Sequence, residues 1–400
     1  MRTRTLTMLA TAAAGAAIAF AACSDTPSVP TPPGSLQPSF AKGGSGAKTV
    51  KSIAVTPSSA TVNKGGTTQL TASANPAGSV MTFAWGSSNN AIATVSSTGL
   101  VTAIASGSAT ISATGGGKTG TSAITVPADP PPAGSEVLVG AGDIASCSSN
   151  GDELTANVLD GITGTVFTLG DNAYTNATTA EYTNCYNPSW GRHKARTRPS
   201  PGNHEYQTAG AAGYFGYFGS AAGTQGEGYY SYNLGDWHII VLNSNSECTT
   251  ISCAKDSPQE KWLRADLQAN TKACVLAYWH HPRFNSGLEH ANSTAVAPFW
   301  NALYEYGAEV ILNGHEHLYE RFAPQTPAAV ANATTGIRQF TVGTGGNGHY
   351  GFGTIQPNSE VRNNTAYGVL RLTLKPGGYD WDFVPAAGST FTDSGSGTCH

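Results

Sequence analysis

Residues 310–317 read Val-Ile-Leu-Asn-Gly-His-Glu-His and join a short apolar run to two histidines that are separated by a single residue. The apolar run, Val310 to Leu312, is typical of a buried strand. Two imidazoles two positions apart at the end of an extended strand point to one side, as a shared metal centre requires. This stretch therefore predicts a sheet of buried strands with a metal site where one of them ends.

Four other loops place Asp, Asn, Tyr or His side chains next to glycine or proline, and most of them follow strand-like runs. In α/β sheets, functional groups gather in loops at the carboxyl ends of the strands, so these loops predict one shared site. Hard oxygen ligands mixed with imidazoles favour Fe, Mn or Zn over Ca or a thiolate site. The four loops are Gly142-Asp143, Gly170-Asp171-Asn172-Ala173-Tyr174, Gly202-Asn203-His204-Glu205 and Trp279-His280-His281-Pro282.

From residue 136 onward, apolar strand patterns alternate with helical patterns, which predicts a sheet covered by helices. The clearest helix spans 257–270, with Ser257 as N-cap, Pro258 at the first helical position and Glu260 completing a capping box. The predicted buried strands are 137–139, 166–169, 275–278 and 310–312, and hairpin-like patterns that indicate a second sheet cover 229–242 and 367–384.

The segment 136–385 resembles the calcineurin-like metallophosphoesterases, because all five loops occur in the order of that family. Two features are similar to its purple acid phosphatase subgroup: Tyr174 stands three residues after Asp171, and residues 314–321 read Gly-His-Glu-His-Leu-Tyr-Glu-Arg. The resemblance implies a four-layered α/β/β/α sandwich, which agrees with the second sheet. It also implies a metal-dependent phosphoric ester hydrolase of the acid phosphatase type.

The same resemblance implies a dinuclear metal centre of Fe(III) with Fe(II), Zn or Mn. At residues 280–282 the family pattern is His-x-Pro, which selects His280, and His281 remains the alternative. The implied ligands are Asp143, Tyr174 and His317 for Fe(III), Asn203, His280 and His315 for the second metal, and Asp171 as a bridge through its two oxygens.

The expected reaction is hydrolysis of a phosphomonoester by direct attack of a metal-bound hydroxide, without a covalent phosphoenzyme. His204, beside Asn203, and His290, ten residues past His280, are expected to bind phosphate oxygens or protonate the leaving alkoxide. The sequence around His290 departs from the family pattern, and Ala145 stands where the family usually has glycine. The remaining histidines, taken as structural or surface residues, are His193, His238, His349 and His400.

The N-terminus has the pattern of an export signal. Arg2 and Arg4 precede an apolar run from Leu6 to Phe20, which is too short for a membrane span. Cys23 follows two small residues and resembles the lipidated cysteine of bacterial lipoproteins. We therefore expect a signal peptide at 1–22, a lipid anchor at Cys23 on the periplasmic or cell-surface side of a membrane, or otherwise a secreted protein. Residues 23–50 have the Ser-, Pro- and Gly-rich composition of a disordered tether.

Short alternating runs over 51–127 predict a small all-β sandwich. The stretch 91–111 resembles the bacterial group 2 immunoglobulin-like domain. The segment has no histidine and few charged residues, so it offers no catalytic set and is expected to act as a spacer or in contact with a cell surface. Residues 128–135 then form a Pro-rich linker before the catalytic domain at 136–400.

Length, charge and cysteine content agree with this organisation. The 400 residues suffice for several domains, and a net charge of -4 with 12% charged residues offers no basic surface for nucleic acid. Apart from Cys23, an even number of cysteines in an exported chain favours disulfides. Six cysteines allow fifteen pairings, and Cys248 with Cys253 is the easiest local pair. Three pairings then remain for the other four cysteines, and the one we expect, as a guess, is Cys147 with Cys185 and Cys274 with Cys399.

Two other functions remain open from the sequence. A phosphodiesterase or nucleotidase would use the same ligands on a different leaving group. A surface-binding lipoprotein would act through the β-sandwich and carry an inert metal domain, but the chain has every ligand residue that the family pattern requires.

Overall fold

The computed structural model describes residues 49–77, 81–127 and 132–400. The predicted signal peptide, the anchor at Cys23, nearly all of the tether and part of the Pro-rich linker lie outside the described residues. In the part of the chain that is described, no helix has the length and apolar character needed to cross a membrane.

The first domain is an all-β sandwich in which short strands alternate buried and exposed side chains. Its core is formed by aliphatic residues such as Ile111 and Ile124, which are fully buried. The strands are β1 Ser52–Thr56, β2 Ser59–Thr61, β3 Thr67–Gln69, β4 Thr71–Asn75, β5 Ala84–Ser87, β6 Ala93–Val95, β7 Leu100–Ala103, β8 Gly107–Gly115 and β9 Lys118–Val126. They form three sheets with the strand orders β1-β4, β2-β9-β8-β5 and β3-β7-β6.

The second domain contains two large mixed sheets. A six-stranded sheet consists of β10 Glu136–Ala141, β12 Thr165–Leu169, β14 Thr197–Ser200, β22 Gly368–Lys375, β23 Gly378–Pro385 and β24 Ser394–Thr398, in the order β14-β12-β10-β22-β23-β24. A seven-stranded sheet consists of β15 Tyr230–Leu234, β16 Trp237–Val241, β17 Cys274–Tyr278, β18 Val310–Asn313, β19 Tyr319–Phe322, β20 Arg338–Val342 and β21 Ser359–Asn363, in the order β15-β16-β17-β18-β20-β19-β21. A separate parallel ladder joins β11 Ala145–Ser146 to β13 Ala173–Tyr174.

Helices cover the outer faces of both sheets. Helix α1, Gly151–Asp160, packs on β22 and β23, whereas α4, Pro258–Ala269, and α5, Ala297–Glu305, pack on the outer face of the seven-stranded sheet. The inner faces of the two sheets share one large apolar core. The predicted four-layered α/β/β/α sandwich behind an immunoglobulin-like domain is therefore confirmed. Shorter helices are α2 Thr179–Glu181, α3 Ala212–Phe218, a π-helix at Tyr182–Tyr186 and 3-10 turns at Trp190–Arg196, Glu205–Gln207, Ala209–Ala211 and Gly219–Ala222.

The predicted strands and hairpins are present, and helix α4 begins where its sequence indicates. The Ser257 hydroxyl accepts a hydrogen bond from Glu260 N, as an N-cap should. One detail was wrong: the Glu260 carboxylate accepts from Asp256 N at 3.0 Å and not from the N-cap backbone, so the capping box is displaced by one residue. The two predicted hairpins lie in different sheets, since 230–241 belongs to the seven-stranded sheet and 368–385 to the six-stranded sheet.

The three disulfides are the pairs expected from the sequence. Cys248 and Cys253 close a short loop, and the other two bonds connect distant segments. Cys147–Cys185 ties the loop after β11 to the π-helix, and Cys274–Cys399 ties the start of β17 to the last residues of the chain.

The parallel strands of both sheets direct their carboxyl ends to one edge of the sandwich. Gly142 N donates to Val342 O and so joins the end of β10 to the end of β20 in the other sheet. Gly314 N donates to His280 O, which joins the loops after β18 and β17. The five loops predicted from the sequence therefore meet at this edge.

Candidate metal centre

The first group of side chains surrounds the hydroxyl of Tyr174. This buried oxygen lies 3.0 Å from Asp143 Oδ1, 3.1 Å from Asp171 Oδ2 and 3.1 Å from His317 Nε2. The ladder of β11 and β13 places Tyr174 here, because it pairs Ser146 with Tyr174 directly after the Asp143 and Asp171 turns. Burial and the two carboxylates raise the pKa of Tyr174 well above its usual value. A cation at this point would reverse that effect, so the arrangement fits a metal held by a phenolate.

The second group surrounds Nε2 of His280. This nitrogen lies 3.0 Å from Asn203 Oδ1, 3.1 Å from His315 Nδ1 and 3.2 Å from Asp171 Oδ2. The other ring nitrogen, Nδ1, donates to Leu169 O at 2.6 Å, which fixes the tautomer that presents Nε2 as a ligand atom. Two imidazole nitrogens, an amide oxygen and a carboxylate oxygen suit Fe, Zn or Mn.

Asp171 is the residue common to both groups. Its Oδ2 faces both Tyr174 and His280, whereas Oδ1 accepts a hydrogen bond from His204 N at 2.9 Å. One oxygen therefore faces both groups, where the resemblance led us to expect a bridge through both oxygens. Burial alone would raise the pKa of the Asp171 carboxyl, but the positive charge of His280 outweighs it and lowers that pKa. Burial likewise opposes the positive charge of His280, and Asp171 and Asp143 nevertheless raise its pKa to about 9. The carboxylates thus create a buried site that favours positive charge.

Glu205 supports Asp171 from behind. This fully buried carboxylate accepts hydrogen bonds from the backbone N–H groups of Asp171 at 2.9 Å, Asn172 at 2.8 Å and Gly202 at 2.6 Å. The Tyr182 hydroxyl donates to it as well, at 3.0 Å. The sequence indicates no role for Glu205, because most of its partners lie outside its own motif, in the loop after β12 and in the π-helix.

Close approach of the loops requires glycine at position 202. A Cβ on Gly202 would lie 2.2 Å from Asp171 Oδ1. Asp143, Asp171 and His315 themselves have φ values of 61°, 50° and 71°, which only a few per cent of residues other than glycine adopt. The backbone at the ligand turns is therefore held in a conformation that the surrounding contacts must stabilise.

His204 and His290 lie at the rim of the two groups and are partly exposed. The ring of His204 is 4.5 Å from the Tyr174 ring, and its Nε2 is 3.8 Å from Asp171 Oδ2. The ring of His290 is 3.9 Å from the His315 ring. The structure thus brings both candidate catalytic histidines to the same centre as the expected ligands.

His281, the alternative ligand, is also buried beside the second group. Ligand atoms of His280, His281 and His315 lie within 4.8 Å of one another. The Nδ1 atom of His281 is hydrogen bonded to Ser244 Oγ at 2.8 Å, whereas Nε2 of His280 contacts Asp171 and Asn203. The contacts of His280 with two other ligand residues favour it as the ligand.

The other histidines have partners away from the two groups or beside them. His193, His238 and His400 each face a carboxylate, and those carboxylates belong to Asp160, Asp266 and Glu309. His349 stacks on Tyr367. The next residue, Tyr350, stacks on His317 with ring centroids 4.0 Å apart, a contact that no sequence pattern had indicated.

Two families match the chain in the order expected from the sequence. Residues 49–126 match the bacterial Ig-like domain (group 2), and residues 139–319 match the calcineurin-like phosphoesterases. The second match contains all seven expected ligands.

The curated relatives that match are acid phosphatases. Purple acid phosphatase 15 of Arabidopsis thaliana is 29% identical over 132 residues, which are 30% of this chain and 24% of that protein. Purple acid phosphatase 23 of Arabidopsis thaliana is 26% identical over 40% of this chain and 37% of its own length. Acid phosphatase type 7 of Danio rerio is 30% identical over 34% of this chain and 35% of its own length. The chain therefore spans about a quarter to a third of these relatives.

Solved structures resemble the chain in fold. Purple acid phosphatase PPD1 from yellow lupin (Lupinus luteus) seeds is 15% identical, with a TM-score of 0.52 over 83% of this chain and 67% of that one. GAP50, described as the anchor in the inner membrane complex of Plasmodium, is 12% identical, with a TM-score of 0.51 over 66% of this chain and 89% of that one. At these identities the likeness concerns the fold alone.

Proposed function

Because the chain joins a bacterial immunoglobulin-like domain to a calcineurin-like phosphoesterase domain, we propose that it is an exported phosphatase of the purple acid type that hydrolyses phosphomonoesters. One observation carries the proposal. The hydroxyl of Tyr174 and Nε2 of His280 each lie about 3 Å from three other ligand residues, and Asp171 Oδ2 contacts both.

The ligand set matters more than the fold for this proposal. A protein described as an anchor has a similar fold, so the fold alone does not establish hydrolysis. The present chain has both carboxylates, the phenol, the amide and the three imidazoles of a dinuclear centre in mutual contact. We place Asp143, Tyr174 and His317 at one metal, Asn203, His280 and His315 at the other, and Asp171 between them. Iron at the first position is part of the proposal, since a phenolate ligand suits Fe(III).

A bound metal pair would lower the pKa of water and neutralise the charge of a phosphoryl group. The remaining work falls to residues of the chain. His204 and His290, at the rim, donate hydrogen bonds to phosphate oxygens, and one of them delivers a proton to the leaving alkoxide. Glu205 holds the Asp171 turn, so that the carboxylate keeps its orientation during the reaction.

Export and anchoring are further parts of the proposal. Disulfides persist in oxidising compartments, and three of them cross-link segments of the catalytic domain, which supports export. Lipid attachment at Cys23 would hold the protein at a membrane, and the immunoglobulin-like domain would extend the catalytic domain from it. Mass spectrometry of the mature N-terminus tests this, because a lipidated Cys23 and an unmodified N-terminus at another residue differ in mass.

The central experiment combines metal analysis, the visible absorption spectrum and a substrate panel. We expect two metals per chain, a charge-transfer band from the Fe(III)–phenolate pair, and faster turnover of monoesters than of diesters and nucleotides. A colourless protein with two Mn or Zn ions that prefers diesters would overturn the monoesterase proposal. If the protein retains no metal, the proposal that it is a metal-dependent hydrolase is overturned.

A further inference from the structure

Two buried carboxylates bind the loop 285–290, which carries His290: Glu320 accepts a hydrogen bond from Ser286 N at 2.9 Å, and Glu316 contacts both ends of the loop. Glu316 stands between the ligands His315 and His317 in sequence and is fully buried. Its Oε2 accepts hydrogen bonds from His290 Nδ1 at 2.9 Å and from Asn285 Nδ2 at 3.3 Å, and its Oε1 accepts from Glu289 N at 3.2 Å. One side chain of the His-x-His turn therefore binds both ends of this loop.

Gly287 makes this contact sterically feasible. A Cβ at this position would lie 1.9 Å from Glu316 Oε1 and 2.0 Å from its Cδ. Gly287 is not among the residues of positive φ, so the close approach to Glu316 explains the glycine better than backbone conformation does. Its N–H donates to Asn285 Oδ1 at 2.7 Å, which closes the turn over the carboxylate. The local sequence that departs from the family pattern is thus shaped around Glu316.

The hydrogen bond from His290 determines how its ring is presented. An ionised carboxylate only accepts hydrogen bonds, so Nδ1 of His290 carries the proton in this contact. The opposite nitrogen, Nε2, makes no hydrogen bond to any described residue. The ring also lies against His315, with centroids 3.9 Å apart, and 5.7 Å from the ring of Tyr350. Contact with Glu316 and with the ring of His315 stabilises the observed orientation of the imidazole at the rim of the metal centre.

We infer that Glu316 is a positioning residue that orients the 285–290 loop and the ring of His290, so that Nε2 is the nitrogen left to donate to a phosphate oxygen when the ring carries a proton on both nitrogens. This inference rests on the proposed function for the identity of the ligand. The orientation of the ring does not depend on the ligand and can be measured separately. Removal of a residue that orients a metal-ligating histidine typically lowers metal affinity or activity tenfold to a hundredfold, and we expect a loss of similar size at His290.

The first test is the tautomer of His290 in the full chain, exchanged into zinc and labelled with ¹⁵N-histidine. Long-range ¹H–¹⁵N correlations distinguish a proton on Nδ1 from one on Nε2, and loss of a signal in His290→Gln assigns the residue. With the ring in its neutral form, we expect the proton on Nδ1 in the wild type and a shift towards the Nε2–H form in Glu316→Ala. Gly287→Ala keeps the carboxylate but displaces it, and should produce the same shift if Glu316→Ala does not fold. Glu289→Gln, an exposed neighbour on the same loop, should change nothing.

The second test is the affinity for inorganic phosphate, measured by calorimetry on the same proteins. We expect Glu316→Ala to weaken phosphate binding about tenfold, and we expect the double variant with His290→Gln to bind no more weakly than His290→Gln alone, because Glu316 acts through His290. Additive losses would overturn the inference. So would a His290 Nδ1 proton that persists in both Glu316→Ala and Gly287→Ala. If the wild type hydrolyses no phosphate ester, the proposed function fails while the tautomer still decides the positioning role.

Discussion

The hydroxyl of Tyr174 lies 3.1 Å from Nε2 of His317, although the two residues are 143 positions apart in the chain. Both atoms also approach Asp143 Oδ1, at 3.0 Å for the hydroxyl and 3.4 Å for the nitrogen. Three potential ligand atoms of different chemistry thus meet in a buried site. A metal ion is the simplest partner that satisfies all three at once.

We predict that Tyr174→Phe abolishes the visible charge-transfer band of the metal-loaded protein, because the phenolate is the only proposed ligand that can give such a band with Fe(III). The measurement is the absorption spectrum beside iron analysis. Tyr350→Phe is the matched control, since its ring stacks on the ligand His317 while its hydroxyl is not placed on the metal. A band that survives Tyr174→Phe and disappears in Tyr350→Phe would contradict the assignment.

Asp171 should be the least replaceable residue of the centre, because one oxygen of its side chain contacts both groups of ligands. We predict that Asp171→Ala lowers kcat/KM about a thousandfold or more and reduces the metal content, since stabilisation by the metal pair is worth several kcal/mol. The control is Asp266→Asn, a carboxylate that faces His238 outside the centre. Full activity of Asp171→Ala would remove the bridging role.

The sequence was sufficient to predict which side chains come together at this edge, because each of them directly follows a strand or lies in a motif of fixed spacing. Parallel strands bring their carboxyl ends together whatever the details of packing, so Asp143, Asp171 and His315 could be placed without coordinates. Glu205 and Glu316 could not be given roles in this way. Their hydrogen-bond partners are loop N–H groups and side chains that approach only after both sheets have packed, and no local periodicity marks such contacts.

The loops distal to the strands were equally inaccessible to sequence reasoning. The stretch around α3 contains aromatic residues without a clear period, and the structure packs Tyr217 and Phe218 against tyrosines of the π-helix. Tyr350, in a glycine-rich loop, became a neighbour of His317 only through the fold. Glycine-rich segments carry little hydrophobic pattern, and tertiary contacts decide their course.

Glu205 should contribute to metal affinity without touching the metal. In Glu205→Gln, one of the two carboxylate oxygens becomes an NH₂ group that faces backbone N–H donors, so at least one donor loses its acceptor. We predict a loss of about 1–3 kcal/mol in the free energy of unfolding and metal binding that is weaker by roughly tenfold to a hundredfold. Denaturant unfolding and competition with a chelator measure the two effects. Glu181→Gln, in the first turn of α2, offers a comparison in which local hydrogen bonds are lost but the Asp171 turn is kept.

Glu309 predicts a pH dependence of stability that is unrelated to the metal centre. Burial raises the pKa of its carboxyl to about 7, from a usual value of 4.5, despite hydrogen bonds from Val275 N and His400 N. Between these two values the folded chain holds a proton that the unfolded chain has released. The folded state then binds more protons at Glu309 than the unfolded state, so the contribution of Glu309 to stability is greatest below pH 4.5 and is lost as the pH rises through 7.

Glu309→Gln should remove this dependence, because the amide cannot ionise and its oxygen can still accept the hydrogen bond from Val275 N. We expect the difference in unfolding free energy between variant and wild type to shift by on the order of 2 kcal/mol in favour of the variant between pH 4 and pH 7.5. Urea unfolding at both pH values measures it, and effects common to both proteins cancel in the difference. Glu305→Gln, whose carboxylate is largely exposed and paired with Arg264, should show no such shift. Parallel pH profiles for wild type and Glu309→Gln would mean that the buried carboxyl ionises at its usual pH.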